Sequence, residues 1–295
     1  IHRGRIQATH KFVNFATYVA FFPCILSGPI DRPNTFLPQL EKKRVFNYTL
    51  IVDGCRQILW GLFKKVVIAD NLATYVDIVW NNSSAMIPQS GSTLVLAMIF
   101  YLLQMYADFS GYSDMAIGVG KLLGFSITAN FKAPLFALNI ADYWKRWHIS
   151  LTAWLTDYVF MPLNIKFREL DKLGIILAIL INFVLIGFWH GADWTFGLFG
   201  LYHGLLYIPL ILSGAFYKKD KLKINKLGLP TFKDTCRIML TLIFVVIGLI
   251  LFRAPNLSSA WIYVKGIFDL SLFSLPWLYS YYFYVPILIS ITIMI

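Results

Sequence analysis

The sequence predicts an all-α, polytopic membrane protein, and three observations carry that reading. Of the 295 residues, 58% are hydrophobic and only 14% are charged, which is too apolar for a soluble domain of this size. The apolar residues run continuously instead of alternating, which favours helices over an outer-membrane barrel. Several runs approach the roughly 20 residues that a helix needs to cross a hydrocarbon core about 30 Å thick.

In chain order the clearest runs are Phe12 to Ile30, Ser92 to Ala107, Leu173 to Trp189, Trp194 to Tyr217, Ile238 to Phe252 and Pro276 to Ile295. The shorter ones require tilting, local thinning or re-entrance. Between them lie segments that are apolar on one side. Residues 54–76 place Ile58, Leu59, Leu62, Phe63, Val66 and Val67 at helical spacing, with Lys64 and Lys65 elsewhere on the turn, as in a helix at the interface or lining a bundle. Residues 139–163 read the same way. Asn139 three residues before Asp142 is a helix start, Asp142 and Arg146 are a favourable (i, i+4) pair, and Pro162 is expected to close the helix. No internal repeat, linker or break in composition divides the chain, so residues 1–295 read as a single transmembrane domain. The absence of an initiator methionine and the final apolar run suggest a fragment of a longer chain.

The formal net charge is +11, yet the basic residues fall in loops and at the ends of apolar runs. That pattern indicates cytoplasmic loops and anionic lipid contact, not nucleic acid. The segment from Lys218 to Lys233 holds six lysines against one aspartate and is expected in the cytoplasm, as are Lys166, Arg168 and Lys172. The three cysteines imply no disulfide framework, and no CxxC suggests zinc or redox chemistry.

Ionisable groups inside apolar runs are functional candidates, because taking them out of water is costly unless something offsets it. Five histidines are present. His2 and His10 lie among basic residues and read as solvated or headgroup-facing, and His203, between glycines in an apolar run, reads as a buried structural histidine. His148, in YWKRWHIS, and His190, in GFWHGADW, differ because aromatic and polar neighbours surround them. A histidine can remove a proton from an alcohol near neutral pH, but His190 could equally bond a carbonyl freed at a hinge. Asp108 and Asp114 interrupt another apolar stretch, with Tyr106 nearby as a donor and Gly111, Gly118 and Gly120 permitting close approach or a kink. The pattern for Asp114 favours a role in holding a broken helix together. There is no HExxH, GxSxG, P-loop or GxGxxG, so the pattern offers no metal site and no familiar nucleophile or phosphate cradle.

The stretches YADFSGYSDMAIGVGKLLGF, NFKAPLFALNIADYWKRWHISLTAWLTDYVFMPL and GFWHGADWTFGLFGLYHG together resemble the membrane-bound O-acyltransferase family, and within it the bacterial alginate-type polysaccharide O-acetyltransferases. The match is dense over residues 106–204, and SGPIDRP at 27–33 fits more weakly. After MPL the chain reads NIKFREL, where many alginate-type members carry a Gly-rich turn. The resemblance implies a ring of tilted transmembrane and re-entrant or interfacial helices around a central tunnel, in the bacterial inner membrane. It implies acetyl transfer from cytosolic acetyl-CoA, without a metal, to a polysaccharide hydroxyl or to an intermediate extracytoplasmic esterase-like partner. His190 maps onto the family's catalytic histidine and His148 onto its second polar position. Tyr106, Asp108, Trp144, Lys145, Arg146, Trp147, Trp189 and Asp193 are the expected substrate-binding residues, with Lys145 and Arg146 placed to attract donor phosphates or to snorkel to lipid.

Two alternatives stay open. The same family includes D-alanyl transfer to teichoic acid, and a proton or solute transporter would also use intramembrane His and Asp residues. One tension also remains, because positive-inside counting puts His190 far from the cytoplasm, where the donor is. A tilt, or a bend at Gly187, would bring His190 to mid-depth.

Overall fold

In the computed structural model, which describes residues 9–218, 220–225, 228–278 and 281–294, the chain is helical, with one isolated β-bridge between Ile224 and Pro230 among the described residues. His2 and parts of the lysine-rich segment and of the final apolar run lie outside them. Among the described residues, four helical stretches are long and apolar enough to cross a membrane: Gly91–Leu122, Arg168–His190, Trp194–Leu212 and Phe232–Arg253. The protein is a polytopic membrane protein.

The first apolar run is not one span. α1 (Phe12–Val19) stops, and residues 20–28 follow as turns before α2 (Pro33–Glu41). Pro23 and Pro29 lack the amide a continuing helix needs, and Gly28 packs so closely on Cys24 that a Cβ would lie 2.4 Å from its Cα.

Next comes one long helical rod: α3 (Tyr48–Leu62), a π-helical stretch (Phe63–Ala69) and α4 (Asp70–Ser84). It packs along α5 (Gly91–Leu122) through its small residues and Lys64, with the apolar stripe outward. Leu59 is 68% exposed, and Leu62, Val66 and Val67 also face out, whereas Gly54, Gly61 and Lys64 face α5. In lipid the apolar stripe turns outward, and small residues mediate helix contact. A Cβ at Gly54 would sit 2.8 Å from the Gly118 carbonyl oxygen, and one at Gly61 would sit 2.5 Å from that of Gly111. The wide π turn brings Lys64 inward, where its ammonium pairs with Asp114 and donates to Ser110 Oγ at 2.9 Å. Gln57 donates to Asp114 at 3.0 Å.

α5 runs unbroken through Asp108, Gly111, Asp114 and Gly118, so Asp114 ties two elements together and does not mend a broken helix. Its 32 residues span about 48 Å, more than a bilayer core.

The 139–163 segment is broken where no break is expected. α6 (Ile140–Arg146) starts at Asn139, which accepts from Asp142 N at 2.9 Å, and Arg146 Nε reaches Asp142 at 2.8 Å. The helix ends at Trp147, and His148 takes left-handed backbone angles (φ 46°, ψ 53°) before α7 (Ile149–Leu155). Pro162 does not terminate the segment. After a second π-helical stretch (Thr156–Phe160) it sits in the first turn of α8 (Met161–Lys166), where a missing amide is harmless.

α9 (Asp171–His190) and α10 (Trp194–Leu205) form an antiparallel pair. α9 is unbroken through Gly187, whose missing Cβ, which would lie 2.1 Å from the Phe196 carbonyl oxygen, lets the two backbones touch. The run to Tyr217 is interrupted after α10 and resumes as α11 (Ile208–Leu212) with Pro209 in its first turn. α12 (Phe232–Arg253), capped by Thr231, closes the bundle against α5 and α10, and α13 (Leu257–Ile267) and α14 (Tyr281–Met294) follow.

Candidate functional site

A cavity of about 520 Å³ is walled by α5, α6, the turn at His148, α9, α10, α12 and the segment from Cys24 to Ile30. From α5 it takes Met105, Asp108, Phe109 and Tyr112. These lie in the middle of that helix, about 21 Å from one end and about 15 Å from the other.

His148 reaches the cavity because two chain segments hold the break in place. Lys132 N donates to the Arg146 carbonyl at 3.0 Å, and Ile149 N to that of Asn130 at 2.9 Å. The Asn130 side chain accepts from Ser150 N and from Ser150 Oγ, the latter at 2.6 Å. Ile30 N donates in turn to Ser150 Oγ at 2.9 Å, which fastens the Cys24–Ile30 wall to the same turn. Next along the chain, Asp31 accepts from Thr128 N and Oγ1, while burial pushes its carboxyl above the ordinary range. The His148 ring is 5% exposed, with an edge-to-face contact to Phe109 at 4.7 Å, and its Nδ1 is buried with no hydrogen-bond partner among the described residues.

His190 is the last residue of α9, so its position follows from where that helix ends. A Cβ at Gly191 would lie 2.3 Å from the Phe196 ring, and the close fit that glycine permits lets the chain reverse into α10. The His190 ring packs edge-on against Phe252 of α12 at 5.1 Å and Trp189 at 5.4 Å, and Trp189 is 6.3 Å from His148. Two imidazoles from separate elements therefore border one aromatic cavity. Such a site can hold an acyl thioester and a hydroxyl together, with a base at hand and little water.

Of the other expected residues, Asp108, Trp144, Trp147 and Trp189 line the cavity, and Asp108 also pairs with Lys65 at 2.8 Å. Four do not. Tyr106 packs on Phe131 and Trp147 behind the wall. Lys145 is exposed on the outer side of α6, and Arg146 is held by Asp142 and the Lys132 carbonyl. Asp193 caps α10, accepting from Thr195 N at 3.1 Å. Its polarity at the hinge is explained by that amide. Asp193→Ala is expected to cost about 1 kcal/mol of stability and to leave the donor KM unchanged, checked by thermal unfolding and steady-state kinetics.

The sequence reading missed His203 as a cavity residue. It is 1% exposed, as a structural histidine would be, but it lines the same cavity. Its spacing in GLYHGLLY contains no signal for that position.

The family model for MBOAT, membrane-bound O-acyltransferase family, matches residues 4–252. The chain is 34% identical over 273 residues to a probable alginate O-acetylase AlgI of Pseudomonas aeruginosa, covering 91% of this chain and 48% of that protein. It is 36% identical over 262 residues to a peptidoglycan O-acetyltransferase of Helicobacter pylori, covering 88% and 47%. A teichoic acid D-alanyltransferase of Bacillus subtilis is more distant, at 31% over 246 residues, covering 80% and 60%. The chain spans about half the length of the first two relatives. With this match along most of its length, the chain belongs to the membrane-bound O-acyltransferase family.

Proposed function

We propose that the protein is a multi-pass inner-membrane O-acetyltransferase that carries an acetyl group from a cytosolic thioester, acetyl-CoA, to a hydroxyl of an extracytoplasmic polysaccharide. The transfer is direct or runs through an esterase-like partner protein. The observation that carries the reading is the convergence of His148 and His190 on one aromatic cavity beside the middle of α5. The cavity's place beside the middle of α5 supports a His190 within reach of a cytosolic donor.

His190 takes the proton of the acceptor hydroxyl as its oxygen adds to the thioester carbonyl carbon. The C–S bond then breaks, and the departing thiolate recovers the proton from the imidazolium. His148 orients the reacting groups. Trp147, Trp189 and Phe109 exclude water, which strengthens each polar contact inside.

Acetyl transfer is favoured over D-alanyl transfer by the higher identity to relatives named as O-acetylases and O-acetyltransferases. Membranes carrying the protein, supplied with labelled acetyl-CoA, are expected to form base-labile acetyl esters on polysaccharide. Alanyl esters in their place would assign the other reaction, and proton or solute flux with no ester would assign a transporter.

A further inference from the structure

His203 is the one histidine of the cavity for which this mechanism has no use, and its surroundings suggest a specific one. Trp144 Nε1–H points at His203 Nδ1 at 3.4 Å, with the two rings edge-on at 5.2 Å. An indole nitrogen only donates, so Nδ1 is the acceptor and the proton of the neutral ring lies on Nε2. That Nε2 sits over Gly248 of α12, where a Cβ would lie 2.5 Å away, and it has no hydrogen-bond partner among the described residues. Because His203 lines the cavity, a ligand held there can supply the acceptor that no described residue does.

His203 is also remote from the reacting atoms. A Cβ at Gly200 would meet the Phe183 carbonyl oxygen at 2.1 Å, and one at Gly204 would meet Leu180 Cδ2 at 3.0 Å. These contacts set His203 about two and a half helical turns along α9 from His190, roughly 14 Å. Phe199 and Phe252 lie between the two histidines, at ring separations of 4.7, 5.1 and 5.1 Å. A ligand touching both must be extended, largely apolar and able to accept a hydrogen bond partway along.

We propose that His203, oriented by Trp144, binds the arm of the acyl donor, its Nε2–H donating to an amide carbonyl of a pantetheine-type thioester laid along the cavity toward His190. This rests on the acyltransferase reading and names the part of the donor that the site recognises. Coenzyme A and a carrier protein both present such an arm.

The test uses purified protein with three donors: acetyl-CoA, an acetylated carrier protein, and acetyl-N-acetylcysteamine, which keeps only the amide nearest sulfur. His203→Phe is expected to raise KM about tenfold for the donor with the full arm, with kcat within about twofold, and to leave the truncated thioester unaffected. His203→Gln, which retains an N–H donor, restores most of the affinity. Gly248→Ala, on another helix, crowds Nε2 and raises the same KM. An increase with only one of the two full-length donors identifies which source the cavity accepts. An unchanged KM with both, or an equal loss on the truncated thioester, overturns the proposal. A wild type inactive with every thioester instead overturns the enzymatic reading beneath it.

Discussion

His190→Ala is expected to lower acetyl transfer by about 10²- to 10⁴-fold with wild-type yield and donor KM, because a positioned general base contributes a factor of that size. The ring borders the cavity and is half-buried, and its packing against Phe252 and Trp189 is peripheral to the main core, so removing it leaves a space and not a collapsed helix pair. A purely structural role predicts the opposite signature, with reduced yield and unchanged specific activity. His148 separates the two roles further. It occupies a left-handed conformation, which alanine adopts poorly and asparagine tolerates. His148→Ala should therefore lose both fold stability and rate, whereas His148→Asn keeps the turn and isolates the imidazole's own contribution. Thermal unfolding in detergent beside labelled-acetate turnover distinguishes the three variants.

What could be read from the sequence was local. The start of α6 at Asn139 and the Asp142–Arg146 pair follow from one turn of helix, and the reversal after His190 follows from a glycine closing one apolar run before another. The break at His148 was hidden because its cause is distant in sequence: Asn130 and the 130–132 segment hold it from outside the helix. Whether Leu59 and its neighbours meet lipid or protein stayed open, because the apolar stripe of a membrane helix carries no sign of which it faces. The π turn then changed the phase that placed Lys64, and no regular periodicity contains that shift. His203 failed for a related reason: whether a buried histidine faces a neighbour or a cavity depends on the Gly248 helix crossing it, some 45 residues later.

The same crossing of rod and α5 yields the largest expected effect on stability. Asp114→Ala should destabilise the protein by about 3 kcal/mol, the cost of leaving one partner of a buried ion pair unpaired. The Lys64 side chain is only 6% exposed and would retain Ser110 Oγ alone, and Gln57 would lose its acceptor as well. The ammonium cannot snorkel away, because Gly61 and Gly111 hold the two backbones in contact beside it. A low-dielectric pair of this kind need not be stabilising overall, since replacing both charges with apolar groups of similar volume is often neutral or better. Lys64→Met combined with Asp114→Leu should therefore recover most of what Asp114→Ala loses, measured as the unfolding midpoint in detergent. Recovery by the double variant places the cost in the stranded charge. If both variants fall equally, the pair instead fixes the register of α3 on α5, and transfer activity should fall with it, because Asp108, six residues along α5, lines the cavity.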